Sequence, residues 1–470
     1  MKSLRTCVVL LLVVALQSAA VAAEPRMTPL DTYVHQPDPA FGWKVVKTVA
    51  GIQSTTSIIQ LKSQGWRTEK DVDRTVWEHW LVVVKPERVT AKTAFLFVSG
   101  GANDRPMPEG ADAMTAEIAR STGSIVAELR MVPNQPLVYH GDGKPRKEDD
   151  LIAYGWDQFI KTRDPTWIPQ FAMVKSAVRA MDCLQEWSAA DGPKLEKFVI
   201  AGASKRGWTT WLTGVTDRRV EALVPIVIDV INVDPSMRHH AAAYGFWANA
   251  IGNYYEHGIM QRMNDPQLKE LYRIVDPYSY RERLTMPKYI VNGSGDQFFL
   301  PDSSQFYFDE LPGEKHLRYV PNADHSLKGS DALDSIIAFY QLILSGKPRP
   351  NLSWSFEKDG SIHVRTDTPA KQVLLWQATN PKTRDFRVMT IGKVFESREL
   401  TAAADGSFVG QIAAPATGWS AFFVEAAYDT GGFAPLKFST AVRVLPDKLP
   451  FADLDPGKAP YEANVQGKRP

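Results

Sequence analysis

The residues best placed for chemistry sit in Gly202-Ala203-Ser204-Lys205-Arg206-Gly207, between an apolar run, FVIA, and a helix-forming stretch, WTTWLTG. A strand that turns sharply into a helix at a serine lifts the hydroxyl above the sheet. It also aims the first helical N–H groups at any oxyanion that forms there. That is the arrangement for acyl transfer, and it requires a base to take the serine proton and an acid to orient the base. Downstream, the run KYIVN enters Gly293-Ser294-Gly295-Asp296, and LRYV enters Pro321-Asn322-Ala323-Asp324-His325. Both segments read as strands, so Asp296 and His325 are expected just beyond strand carboxyl ends, where an open α/β sheet forms its crevice. The chain order Ser204, Asp296, His325 is that of an α/β-hydrolase triad.

Alternatives within the sequence are fewer. Asp229 ends the strand after the Ser204 helix and is a second candidate for the acid. Asp302 reads as a helix cap and Asp324 as a loop carboxylate. His239, His240 and His257 could line a pocket, whereas His316 precedes its strand, at the end away from the chemistry. For the oxyanion, the backbone amides of Lys205 and Gly101 form the expected pair, with Ala102 as substitute, because the glycines of VSGGA let the backbone approach closely. Asn134 and Gln135, between two prolines in RMVPNQP, present amides suited to substrate contact or to pinning the cap. Arg206 stands where such an elbow ordinarily carries glycine, so either the turn opens or its guanidinium enters the site. Trp208 and Trp211 read as packing residues. No HExxH, CxxC or acidic calcium loop occurs, so no metal or cofactor is implied.

The elements that must hold these residues follow from the pattern. Residues 53–61 and 74–84 read as an antiparallel pair. Strands then alternate with helices from Thr93 to Leu344, which predicts a mainly parallel sheet covered on both faces, an α/β fold. Residues 236–284 are helical, aromatic-rich and too long for a plain crossover, and read as a cap above the strand ends. After Ser345-Gly346, the segments LSWSFE, SIHVRTD, KQVLLWQAT, FRVMTI, SFVGQIAAP, SAFFVEAAYD and FSTAVRVL predict an all-β sandwich of immunoglobulin or fibronectin type. The expected organisation is an α/β domain over 24–346, a β-sandwich over 350–446 and a tail over 447–470.

At 470 residues the chain is long enough for two domains. A formal net charge of +1 gives no electrostatic reason to expect nucleic-acid binding. Lys2 and Arg5, the apolar run Cys7–Leu16 and Val21-Ala22-Ala23 have the form of a signal peptide cleaved after Ala23. The chain is therefore expected to be exported, periplasmic or secreted, with no integral membrane segment in its mature form. Cys183 then remains alone, in the apolar pattern of a long helix, and reads as a buried thiol.

The segments VPNQP (132–136), AYGWDQFIKTRDPTW (153–167), KSAVRAMD (175–182), GASKRGW (202–208), IDVIN (228–232) and LLWQATNPKTRDFR (374–387) resemble the PhoPQ-activated pathogenicity-related protein family. The resemblance implies an α/β-hydrolase domain with a C-terminal β-sandwich, and an association with PhoPQ-regulated virulence or envelope functions. It names no substrate. The expected activity is a serine hydrolase, peptidase or esterase, acting on a peptide or ester through Ser204. Lys205 and Arg206 suggest a carboxylate-bearing substrate, and the S-K-R-G pattern resembles the S-R-x-G elbow of glucuronoyl esterases. The alternative is a non-catalytic binding or signalling protein on the same scaffold.

Overall fold

The computed structural model describes residues 27–465, apart from Asp191 and Phe433; the expected signal peptide, residues 1–23, lies outside the described residues. Nine strands form the main sheet: β1 (Gly42–Gly51), β2 (Ser54–Gly65), β3 (Val76–Pro86), β4 (Thr93–Val98), β5 (Val126–Leu129), β6 (Lys197–Ala203), β7 (Val220–Ile226), β8 (Lys288–Gly293) and β9 (Lys315–Val320). Their order is β1-β2-β3-β5-β4-β6-β7-β8-β9. The first three pair antiparallel, β3 pairs antiparallel with β5, and every pairing from β5 to β9 is parallel. The expected α/β sheet with an antiparallel start is therefore present, although β1 has no counterpart in the sequence reading. β1 is an edge strand, largely exposed and interrupted by a bulge between Val45 and Lys47, so it lacks the clean alternation that reveals a half-buried strand.

Helices cover both faces. The principal ones are α1 (Ala113–Thr122), α2 (Glu148–Thr162), α3 (Pro169–Ala190), α4 (Lys205–Thr216), α5 (Val233–Tyr244), α6 (Pro266–Val275) and α7 (Ala332–Ser345). Their ends obey local chemistry. The Asp112 carboxylate accepts from the Thr115 N–H at the start of α1, and Gly123 closes it in left-handed backbone. Glu148, Asp149 and Asp150 occupy the first turn of α2, where the helix dipole favours negative charge. Cys183 is buried in α3, and burial pushes its thiol upward, away from reactivity. No helix among the described residues is long and apolar enough to cross a membrane.

Beyond α7, eight strands form two antiparallel sheets. One joins β10 (Leu352–Phe356), β11 (Ile362–Thr366) and β14 (Phe408–Gly410). The other joins β12 (Gln372–Asn380), β13 (Glu396–Glu399), β15 (Trp419–Tyr428), β16 (Leu436–Ser439) and β17 (Arg443–Leu445). Ile362 and Val364 of the first share an apolar cluster with Leu375 and Val424 of the second. A side chain at Gly410 would meet Val424 at 2.6 Å, so the sheets touch closely there. The segment FRVMTI departs from expectation. It holds a short helix, Val388–Ile391, instead of a strand, because its backbone is engaged by the main domain.

The tail does not hang free. Phe451 packs where a side chain on Gly245 would be, Trp247 donates to the Pro460 carbonyl at 2.8 Å, and Glu462 donates to Trp247 at 2.9 Å. Residues 449–462 thus lie along the segment that follows α5.

Candidate active site

Ser204 occupies the turn between β6 and α4 with φ 59° and ψ −127°. A non-glycine residue in this sparsely populated region is held there by its surroundings. The Ser204 N–H donates to the Ile226 carbonyl at 2.8 Å, and Trp208 N–H donates back to the Ser204 carbonyl at 3.0 Å. Two glycines make the turn possible. A side chain at Gly202 would meet the Arg206 carbonyl oxygen at 2.6 Å, and one at Gly207 would meet Ile228 at 2.8 Å. The crowded positions flank Arg206, so the elbow tolerates a long residue there without opening.

Asp296 and His325, the expected acid and base, come together at the neighbouring strand ends. His325 Nδ1 lies 2.7 Å from Asp296 Oδ2, with Asp296 almost fully buried. Asp296 Oδ1 accepts from the Phe298 N–H at 2.7 Å, which fixes the carboxylate plane. His325 Nε2 is buried and has no hydrogen-bond partner among the described residues. Ser204 and Phe298 line one cavity, and the Phe298 ring stands 4.3 Å from the His325 ring. No hydrogen bond joins Ser204 to His325 in this arrangement, as is common in sites whose bonds tighten with substrate.

Both loops carrying the pair rest on the C-terminal region. Val388 N–H donates to the Gly295 carbonyl at 2.9 Å, one residue before Asp296. Asn322, three residues before His325, donates to the Phe395 carbonyl at 2.9 Å and accepts from the Phe395 N–H at 2.8 Å.

Asp229 is not bonded to His325. It accepts from the hydroxyls of Tyr307 at 2.6 Å and Tyr319 at 2.5 Å. Burial pushes its carboxyl up to about 7, the two tyrosine hydrogen bonds opposing and nearby Asp296 adding to the rise. A carboxyl near 3.9 when unfolded and about 7 when folded binds more protons folded, so this group's contribution makes stability fall as pH rises from about 4 to 7. Asp229→Asn removes that dependence. Urea midpoints of wild type and variant should therefore diverge progressively, in the variant's favour, across that window; a pH-independent gap would contradict the assignment.

The expected oxyanion donors follow adjacent strands. β4 and β6 are in register from Val98 opposite Gly202, placing the Gly101 loop beside the elbow. Lys205 heads α4, whose first N–H groups have no intrahelical acceptor. Gly101 has φ 130°, and a side chain there would meet Met131 at 3.3 Å.

The three residues expected to contact substrate are turned inward. Asn134 is fully buried with its amide on the Glu78 carbonyl. Gln135 donates to the Gly101 carbonyl at 2.8 Å and to Glu148 at 2.6 Å, and its Oε1 accepts the Glu148 N–H at 2.7 Å. Arg206 runs to the Val132 carbonyl and forks onto Glu148 at 2.7 and 2.6 Å. Lys205 Nζ is 2.9 Å from Glu148 and 3.3 Å from Asp149. Burial alone would raise the Glu148 carboxyl, but Arg206 and Lys205 outweigh it and hold the group well below the usual range. Both cations beside the nucleophile are thereby matched by acids, which removes the basis for expecting a carboxylate-bearing substrate. Glu148 was missed in the sequence; its only signal was an acidic triplet opening α2.

Of the other candidates, His239 Nε2 lies 3.1 Å from both oxygens of Asp302, and Arg384 donates to Asp302 at 2.6 Å. His257 is paired with Asp150 at 2.6 Å and His316 with Glu314 at 2.8 Å. Trp208 donates to the Val275 carbonyl and faces the cavity, whereas Trp211 is buried. The cavity wall also includes Trp156 and Phe299, which the sequence did not single out.

The description "PhoPQ-activated pathogenicity-related protein" matches residues 30–387. The chain is 41% identical over 454 residues to autocrine proliferation repressor protein A of Dictyostelium discoideum, covering 90% of this chain and 92% of that one. Among solved structures, acetyl xylan esterase 1 from Thermoanaerobacterium sp. is 13% identical with a TM-score of 0.48, covering 67% of this chain and 93% of that one. Acetyl xylan esterase from Paenibacillus sp. is 13% identical with a TM-score of 0.46, over 66% and 91%. The extent of the family match, together with the long relative, places this chain in the PhoPQ-activated pathogenicity-related protein family.

Proposed function

We propose that this chain is an exported serine hydrolase, a peptidase or carboxylic ester hydrolase of α/β-hydrolase type, carrying an immunoglobulin-like C-terminal sandwich and serving PhoPQ-regulated virulence or envelope functions. The observation that carries the reading is the strained backbone of Ser204 at the head of α4, lining the same cavity as the phenylalanine whose tilted ring lies against the Asp296-bound His325. In the proposed cycle, His325 Nε2 takes the Ser204 proton while Oγ forms a bond to the substrate carbonyl carbon. The amides of Lys205 and Gly101 hold the resulting oxyanion. His325 then protonates the leaving amine or alcohol as its bond to that carbon breaks, leaving an acyl-enzyme. Water repeats the sequence, releasing the acid and restoring the serine. Asp296 keeps the Nδ1–H tautomer and stays ionised throughout.

Fluorophosphonate labelling tests the reading: a covalent adduct on Ser204 of the folded protein, absent in Ser204→Ala, is expected. A folded protein that remains unlabelled would sink it. For export, the mature protein recovered from its producing cell should begin at Glu24; an intact Met1 in the soluble fraction would contradict it.

A second reading draws on the printed name of the relative, an autocrine proliferation repressor. On that reading the chain is a signalling or binding protein, and the scaffold presents a surface instead of a reaction. The same labelling experiment decides between the two.

A further inference from the structure

The cavity at Ser204 restricts what part of a substrate can stay attached to it. It has a volume of about 60 Å³, and its wall includes Trp156 of α2, Trp208 of α4, Val233 and Met237 of α5, Met260, and Phe298 of the Asp296 loop. Met237 and Met260 of this wall belong to the 236–284 segment. Its polar members besides Ser204 and two tyrosines are Lys205 and Asp149, and these are paired with each other at 3.3 Å. Lys205 is further bound to Glu148, and Asp149 accepts from the Tyr254 hydroxyl at 3.2 Å. The cavity thus offers no unmatched charge to a ligand.

From this we infer, building on the serine-hydrolase reading, that the acyl half of the substrate is short and uncharged, about two to four carbons long. A narrow apolar hollow beside Ser204 suits the part that remains bonded to Oγ, since the leaving group must depart through an open side. An apolar cavity of ~150 Å³ accommodates benzene, and this one is less than half that size. A carboxylate on the acyl chain would be buried without a partner, which is strongly unfavourable. The group transferred is thus of acetyl-to-butyryl size, and a large leaving group, such as a sugar or a peptide, would lie outside the hollow. In chemical terms, a consumed substrate of this kind must first be made by an acylation reaction that installs a small ester or amide.

The test uses the full mature chain and 4-nitrophenyl esters of acetate, butyrate, octanoate and monosuccinate, alongside fluorophosphonate labelling. Within the length that fits, each added methylene should raise kcat/KM about four-fold. Butyrate should exceed octanoate at least ~10-fold and monosuccinate at least ~100-fold. Met237→Ala and, separately, Met260→Ala enlarge the hollow and should move the optimum toward octanoate. Labelled enzyme that prefers octanoate or monosuccinate, turns over no short ester, or keeps its optimum in both labelled variants overturns this inference alone. A folded chain that neither labels nor turns over any ester overturns the serine-hydrolase reading itself.

Discussion

Replacing His325 or Ser204 with alanine is expected to lower kcat about 10⁶-fold, and Asp296→Asn about 10⁴-fold, with Asp229→Asn remaining within about ten-fold of wild type. The ranking follows from the geometry. Removing the base or the nucleophile leaves only binding and the backbone oxyanion donors. Asp296→Asn keeps a hydrogen-bonding group 2.7 Å from Nδ1 but can donate to it, favouring the tautomer in which Nε2 carries the proton and cannot accept one. Asp229 has both oxygens on tyrosine hydroxyls, so its loss does not alter that tautomer. Single-turnover rates with the best ester, on variants whose circular dichroism matches wild type, supply the comparison. If Asp229→Asn proved as damaging as Asp296→Asn, the acid has been misassigned.

The second large effect concerns stability. Arg384→Met should cost about 3–5 kcal/mol, because it strips the cation from a buried carboxylate. Arg384 and Asp302 are almost fully buried, and His239, on α5, completes the cluster. Burial alone would raise the Asp302 carboxyl, but His239 and Arg384 hold it well below the usual range. A depressed carboxyl contributes stability at neutral pH that is lost as pH falls through its folded value. Without Arg384 the buried carboxyl of the folded variant titrates higher, so the deficit should be largest near neutrality and diminish as pH falls and that carboxyl, unlike the wild type's, takes up a proton. Adding Asp302→Asn should recover part of the loss, since no unpaired charge remains. Urea midpoints at pH 7 and pH 4 measure both effects. A deficit under 1 kcal/mol at pH 7 would show that water reaches the cluster.

Much of this architecture was legible in the residues. The alternation from Thr93 to Leu344 located the parallel strands, since fully buried strands read as short apolar runs between turn signals. The placement of Ser204, Asp296 and His325 beyond strand carboxyl ends was legible because each follows such a run. What escaped depends on contacts between distant segments. The direction of Arg206 is set by Glu148, 58 residues away, and the packed glycines Gly202 and Gly207 explain why the elbow accepts it. FRVMTI carries strand-forming residues, yet Arg387 pairs with Asp385 and Glu462 and Val388 bonds to Gly295. Tertiary partners overrode the local preference. Asn134 and Gln135 looked like recognition residues because polar loop amides often are. Their burial was invisible without the strands they bridge.

The two hydrogen-bonded ties from residues 388 and 395 to the Asp296 and His325 loops bear on how this chain can be divided. By composition the natural cut falls at Ser345-Gly346, which would yield a tidy α/β fragment with all three chemical residues aboard. That fragment would be severed from the abutment on which its acid and base are hung, and from the arginine that neutralises Asp302. The seam visible in the sequence therefore runs through the working parts instead of beside them. On the serine-hydrolase reading, the smallest portable unit therefore keeps residues 388 and 395 together with the α/β domain.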